Sequence, residues 1–209
     1  MTKQMIAAGP VDYFVVDVET ANQARHSICQ IGIAFFAGGK MVDGWESLIN
    51  PHDEFNAFNI ELHGIGPWTV ARAPSWCEVL PKVMSLLNGA AVASHTDFDR
   101  GALSGACLRA AVPAVAYSKW IDTCWLARRA WPQLPNHKLP TLARSFRIDY
   151  RAHDALEDAR VAGEVLALAL QERNITIREL LASPGNHITG FPTAPCSTKR
   201  QRATGLRGD

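Results

Sequence analysis

Residues 13–20 read Tyr-Phe-Val-Val-Asp-Val-Glu-Thr, and the reading of this octapeptide decides the fold. Residues 13–18 form a short aromatic and β-branched run, which suits a strand buried on both faces. Side chains alternate along a strand, so Asp17 and Glu19 share one face while Val18 points to the other. Two adjacent carboxylates at the end of a central strand are costly to bury unless a cation lies between them. The pair also reads as a strand fraying into solvent.

Working outward, residues 29–37 and 41–50 flank Gly38-Gly39, the signature of a hairpin. Residues 51–72, broken by Gly64, Gly66 and Pro67, are expected to be irregular. Residues 74–87 carry a helical pattern, with Pro74 in the first turn. Strand and helix then alternate: strand 90–94, helix 98–111, strand 117–121, helix 124–131 stopped by Pro132, helices 139–146 and 155–172, and a last helix to Leu181 capped by Thr176. Three closely connected strands followed by this alternation predict an α/β fold. Its sheet is mixed, an antiparallel meander joined by parallel strands, with helices on the faces.

Two further segments place acids on apolar stripes. Asp99 lies in register with Leu103, Ala106 and Ala110, so its carboxylate is directed inward, whereas Asp97 falls about 200° round the helix. Thr96-x-x-Asp99 also has nearly the form of a capping box. Asp158 begins the stripe Val161, Val165 and Leu168, while Asp154 and Glu157 read as the N-cap and N3 residues of the same helix. His153 precedes that helix on a loop. Carboxylates from three distant segments, with no cysteine among them, suit a hard cation such as Mg²⁺ or Mn²⁺ rather than zinc.

Composition is permissive. A chain of 209 residues, 47% hydrophobic, builds one core without staples. A net charge of +1 gives no bulk footprint for nucleic acid. The five cysteines contain no CxxC pair and suit reduced thiols in a cytoplasmic protein. Residues 1–10 lack the apolar stretch of a signal peptide, and no run is long enough to span a membrane.

These residues together resemble the DEDDh exonucleases, the DnaQ-like family of 3′→5′ proofreading and RNA-processing enzymes. Asp17-Val18-Glu19-Thr20 is similar to the family's first motif, DxE followed by Thr. Phe98-Asp99 matches the end of its second, and His153, four residues, then Asp158 matches its third. The branch with tyrosine four residues before the last Asp is not matched, since Asp154 stands there. Leu62-His63-Gly64-Ile65 resembles the family's HGI loop, and Asp122-Thr123 with Leu126-Ala127-Arg128 is similar to a further segment. The second motif departs from the family's His-Asn-x-x-Phe-Asp. It reads His95-Thr96-Asp97-Phe98-Asp99, one residue shorter and without the Asn, which leaves Asp97 as a rival to Asp99.

The resemblance implies a ribonuclease H-like fold with a five-stranded sheet, a DEDDh domain over residues 11–183, and a disordered basic tail over residues 184–209. It implies phosphodiester hydrolysis with two divalent ions, Mg²⁺ or Mn²⁺, held by Asp17, Glu19, Asp99 and Asp158, with His153 as general base. Thr20, Ala21, His63, Ile65 and Phe98 would contact the last nucleotide. The implied partners are a nucleic acid with a free 3′ end, single-stranded DNA or RNA, and a polymerase or repair complex. The same residues would serve an exoribonuclease, and a silent nucleic-acid-binding module of this fold is the reading outside catalysis.

Overall fold

The computed structural model describes residues 10–185, 187 and 188. The octapeptide is β1 (Tyr13–Thr20), at the centre of the sheet. It pairs antiparallel with β2 (Ile28–Ala37), which pairs antiparallel with β3 (Lys40–Leu48) across the Gly38-Gly39 turn. Both glycines have positive φ, as a tight hairpin requires. On its other edge β1 runs parallel to β4 (Ala91–Ser94), and β4 to β5 (Lys119–Asp122).

Three expectations need correction. The sheet has six strands rather than five, because His187–Ile188 adds β6, parallel to β5. This strand lies inside the stretch expected to be a tail; Lys199, Arg200, Arg202 and Arg207 lie outside the described residues. The segment 51–72 is not irregular, since it holds α1 (Ala57–His63) and α2 (Pro67–Val70). Its Gly and Pro punctuate helices: Gly64 closes α1 in the left-handed region and Pro67 opens α2. The next helix, α3 (Trp76–Leu87), starts after Pro74, at a Ser75–Glu78 capping box. The proline it tolerates is Pro81, which has no N–H to give back along the helix.

The remaining helices follow the sequence closely: α4 (Phe98–Arg109), α5 (Thr123–Ala130), α6 (Leu139–Phe146), α7 (Ala155–Glu172) and α8 (Ile177–Leu181). Odd-numbered residues of β1, Tyr13 and Val15, join a core with α5, α6 and α7. Even-numbered Val16 and Val18 join a second core with α3 and α4. The alternation therefore directs Asp17 and Glu19 to the α7 face.

Two glycines let α7 lie against the sheet. A Cβ on Gly32 of β2 would stand 2.3 Å from the backbone of Ala155 and Leu156, at the start of α7. One on Gly163 would stand 2.2 Å from the ring of Phe36. This close contact sets where Asp158 arrives. No helix among the described residues is long and apolar enough to cross a membrane.

Candidate active site

Residues far apart in sequence meet where β1 and β4 part. Their pairing covers Phe14–Val92 and Val15–Ala93, after which the strands diverge. The Val18 N–H is instead taken by the carboxylate of Asp99, at 3.1 Å. Asp99 sits in the first turn of α4 and is 3% exposed, Glu19 is 8% and Asp158 5% exposed, and Asp17 is half-buried. Asp99 therefore makes no capping box. Asp97, its rival, occupies the N-cap position with a half-exposed side chain paired to Arg100 at 2.7 Å.

The third segment is anchored by its backbone. Asp154 caps α7, accepting from Glu157 N–H at 3.4 Å, and Glu157 pairs with Arg160. His153 is exposed and held at φ 65°, a left-handed conformation that costs a non-glycine residue about 1 kcal/mol. Its N–H donates to Asp158 Oδ2 at 3.0 Å. The other oxygen, Oδ1, accepts from the hydroxyl of Tyr150. The ligand atoms of Glu19, His153 and Asp158 all lie within 4.8 Å of one another.

Burial dominates the electrostatics of the cluster. Burial, then the charges of Asp99, Asp158 and Glu19, lift Asp17 well above the carboxylate range. Glu19 is pushed up to about 8 by burial and by Asp158, Asp99 and Asp154. Asp99 rises to about 7 through burial, moderated by the Val18 N–H. Asp158 is also raised by burial, against the pull of Tyr150 and the His153 backbone. Burial raises all four carboxylates above their ordinary range, and a divalent cation among them would favour the charged forms. The donor set fits a hard ion: oxygen from four carboxylates, with one imidazole at the rim.

The HGI segment is locked to β1. His63 accepts the Ile65 N–H at Nδ1 (3.0 Å), which leaves Nε2–H to donate to the Thr20 carbonyl at 3.1 Å. Burial lowers the His63 pKa, in keeping with this neutral form. Asn59 donates to the same carbonyl at 2.9 Å. Ala21 and Ile65 are buried together with Cys29 and Val70, so their side chains form the floor of this corner rather than its surface. Phe98 lines the cleft, with the Arg25 guanidinium 5.3 Å above its ring.

Two site residues escaped the sequence reading. Tyr150 lies on the loop before α7, where no periodicity marks it. His95 was visible only as the first letter of a motif. It bridges the end of β4 to Thr123 Oγ1 (3.2 Å) and to the His137 carbonyl (2.8 Å). Asp122, in the segment that resembles the family, caps α5 by accepting from Trp125 N–H at 2.7 Å.

Comparison with known proteins identifies the family. Residues 14–166 match the family model of RNase T, described as Exonuclease. DNA polymerase III PolC-type of Caldanaerobacter subterraneus subsp. tengcongensis is 30% identical over 165 residues, covering 77% of this chain. That of Oceanobacillus iheyensis is 34% identical over 164 residues, covering 74%. The chain spans only 12% and 11% of those two polymerases. Among solved structures, Exonuclease X in complex with 5′ overhanging duplex DNA superposes with TM-score 0.65 at 21% identity, over 85% of this chain and 99% of that one. The nuclease domain of 3′hExo, a DEDDh family member bound to rAMP, gives 0.66 at 22%, over 79% and 95%. These structural likenesses establish the ribonuclease H-like fold, and the family match establishes more: the chain belongs to the exonuclease family.

Proposed function

We propose that this 3′→5′ exonuclease removes nucleotides from the 3′ end of single-stranded DNA, in proofreading or repair. The observation that carries the reading is the juxtaposition of four acids, three of them buried, with an exposed histidine on a loop at their rim. The polymerase relatives support a DNA context.

Asp17, Glu19, Asp99 and Asp158 would hold two divalent ions, Mg²⁺ or Mn²⁺. When bound, such ions polarise a phosphodiester and stabilise the attacking and leaving oxygens. Tyr150 and the His153 N–H fix the Asp158 carboxylate, while the Val18 N–H fixes Asp99. His153, outside the packed core, takes the proton of the attacking water at a ring nitrogen, work suited to an imidazole near neutral pH. Phe98 and the corner formed by Thr20, Ala21, His63 and Ile65 receive the terminal base and sugar. Stacking and apolar contacts of this kind are tolerant of sequence.

The test uses 5′-labelled DNA and RNA strands of one sequence, with Mg²⁺, Mn²⁺ or EDTA, beside Asp17→Ala. A ladder shortening from the 3′ end of DNA, absent with EDTA and in the variant, is the expected result. Digestion of RNA in preference to DNA would reassign the substrate to an exoribonuclease. A folded protein that cleaves neither strand would sink the proposal.

A further inference from the structure

The cleft that holds the acids, about 720 Å³ in volume, has a second wall of opposite charge. Arg128, in the last turn of α5, and Lys138, the N-cap of α6, line it beside Asn136 and His137. Both cations are exposed, and among the described residues neither forms an ion pair. Arg128 acts on Asp122 and on the Cys124 thiol beside it, and neither cation is ion-paired with Asp17, Glu19, Asp99 or Asp158.

The position of this wall is built into the fold. The His137 carbonyl accepts from His95 Nε2–H at 2.8 Å and from the Cys124 thiol at 3.6 Å. The His137 ring donates to the Trp131 carbonyl at 3.0 Å. The loop that carries Lys138 is therefore pinned to the end of β4, the strand from which the Asp99 segment departs. Burial pushes His95 down to about 4, so this pin is neutral and does not compete with the wall for anions.

The two flanks of the acids are unequal. The corner made by Thr20 and His63 lies on the β1 side, closed by α1 and with an apolar floor. An apolar floor of this kind suits contact with a base and a sugar. The cationic wall lies on the other side, beyond β4 and at α5 and α6. An enzyme that cuts off one nucleotide at a time has one nucleotide on the 3′ side of the scissile bond. Every other phosphate of the strand lies on the 5′ side.

From this asymmetry we infer that Arg128 and Lys138 form the backbone subsite for the strand 5′ of the scissile bond, each contacting a phosphate oxygen. The inference rests on the exonuclease reading and adds to it the route by which the strand leaves the site. Phosphate contacts of this kind set register and affinity without reading sequence.

The test compares the wild type with Arg128→Ala/Lys138→Ala on two substrates under one Mg²⁺ or Mn²⁺ concentration. One is a single-stranded oligonucleotide. The other is the p-nitrophenyl ester of thymidine 5′-monophosphate, which has a scissile phosphodiester but no 5′ strand. The double variant is expected to raise KM for the oligonucleotide at least about tenfold and to leave turnover of the ester unchanged. The slope of log(kcat/KM) against log salt should become shallower by about 1.4 for the oligonucleotide, from about 0.7 per lost phosphate contact on a single strand. Arg128→Lys/Lys138→Arg should keep the wild-type slope. An unchanged KM and slope on the oligonucleotide, or an equal loss on both substrates, overturns the subsite while the wild type still digests DNA. A wild type inactive on both substrates removes the exonuclease reading and the subsite with it.

Discussion

Replacing Glu19 by Gln should make the metal-free protein more stable and the enzyme inactive. Glu19 is buried, and its pKa rises from the ordinary 4.5 to about 8. The folded state therefore holds this proton more tightly than the unfolded state does. The penalty is absent below about pH 4.5, grows as the pH rises, and is complete above about pH 8. At about 1.4 kcal/mol for each pH unit, its ceiling is about 5 kcal/mol. Asp158 and Asp99 share protons with Glu19, so a gain of about 2 kcal/mol is expected at pH 8 from the neutral amide. For a chain of this length that raises Tm by about 4–8 °C. Thermal unfolding in EDTA at pH 8 and pH 5 measures it, and the advantage of Glu19→Gln should nearly vanish at the lower pH. Saturating Mg²⁺ or Mn²⁺ should invert the order, because the wild type alone gains the full binding energy. Equal Tm values for wild type and variant at pH 8 in EDTA would refute the account of a carboxylate penalised by burial and by its acidic neighbours.

His153→Gln should lower kcat by about 10²–10⁴-fold, the usual worth of a positioned general base. It should still show a rise in Tm on adding Mn²⁺, and loss of that rise would make His153 a ligand instead. Tyr150→Phe removes the hydroxyl from Asp158; a hydrogen bond to a charged group is worth roughly 1.5 kcal/mol, so activity and Mn²⁺ affinity by calorimetry should each fall about tenfold. Gly32→Ala places a methyl group against the backbone of Ala155 and Leu156, which cannot yield as a side chain would. Urea unfolding should show a loss of about 3 kcal/mol, and activity should fall even where the variant is fully folded.

The parts of the molecule governed by a simple period were legible in the sequence. Period-two alternation put Asp17 and Glu19 on one face, and helical stripes turned Asp99 and Asp158 inward, as found. Where the period is too short to register, the reading failed. The helix α1 spans seven residues and β6 two, and both depend on what they pack against. Tyr150 and His95 illustrate a different limit. Each acts through hydrogen bonds to residues distant in sequence or across a loop, and such bonds leave no trace in spacing. The choice of Asp99 over Asp97 was available from the stripe alone. The reason Asp97 is unavailable, its pairing with Arg100, required coordinates.

The parting of β1 from β4 also makes the Val18 amide a natural reporter. Its proton points at a carboxylate oxygen of Asp99 instead of a ladder carbonyl, so its chemical shift follows the charge on that oxygen. One backbone resonance, from a residue with an inert side chain, would register protonation of the cluster or arrival of an ion in an unmodified protein. The hydrogen bond that organises the site thus also provides a way to watch it by nuclear magnetic resonance.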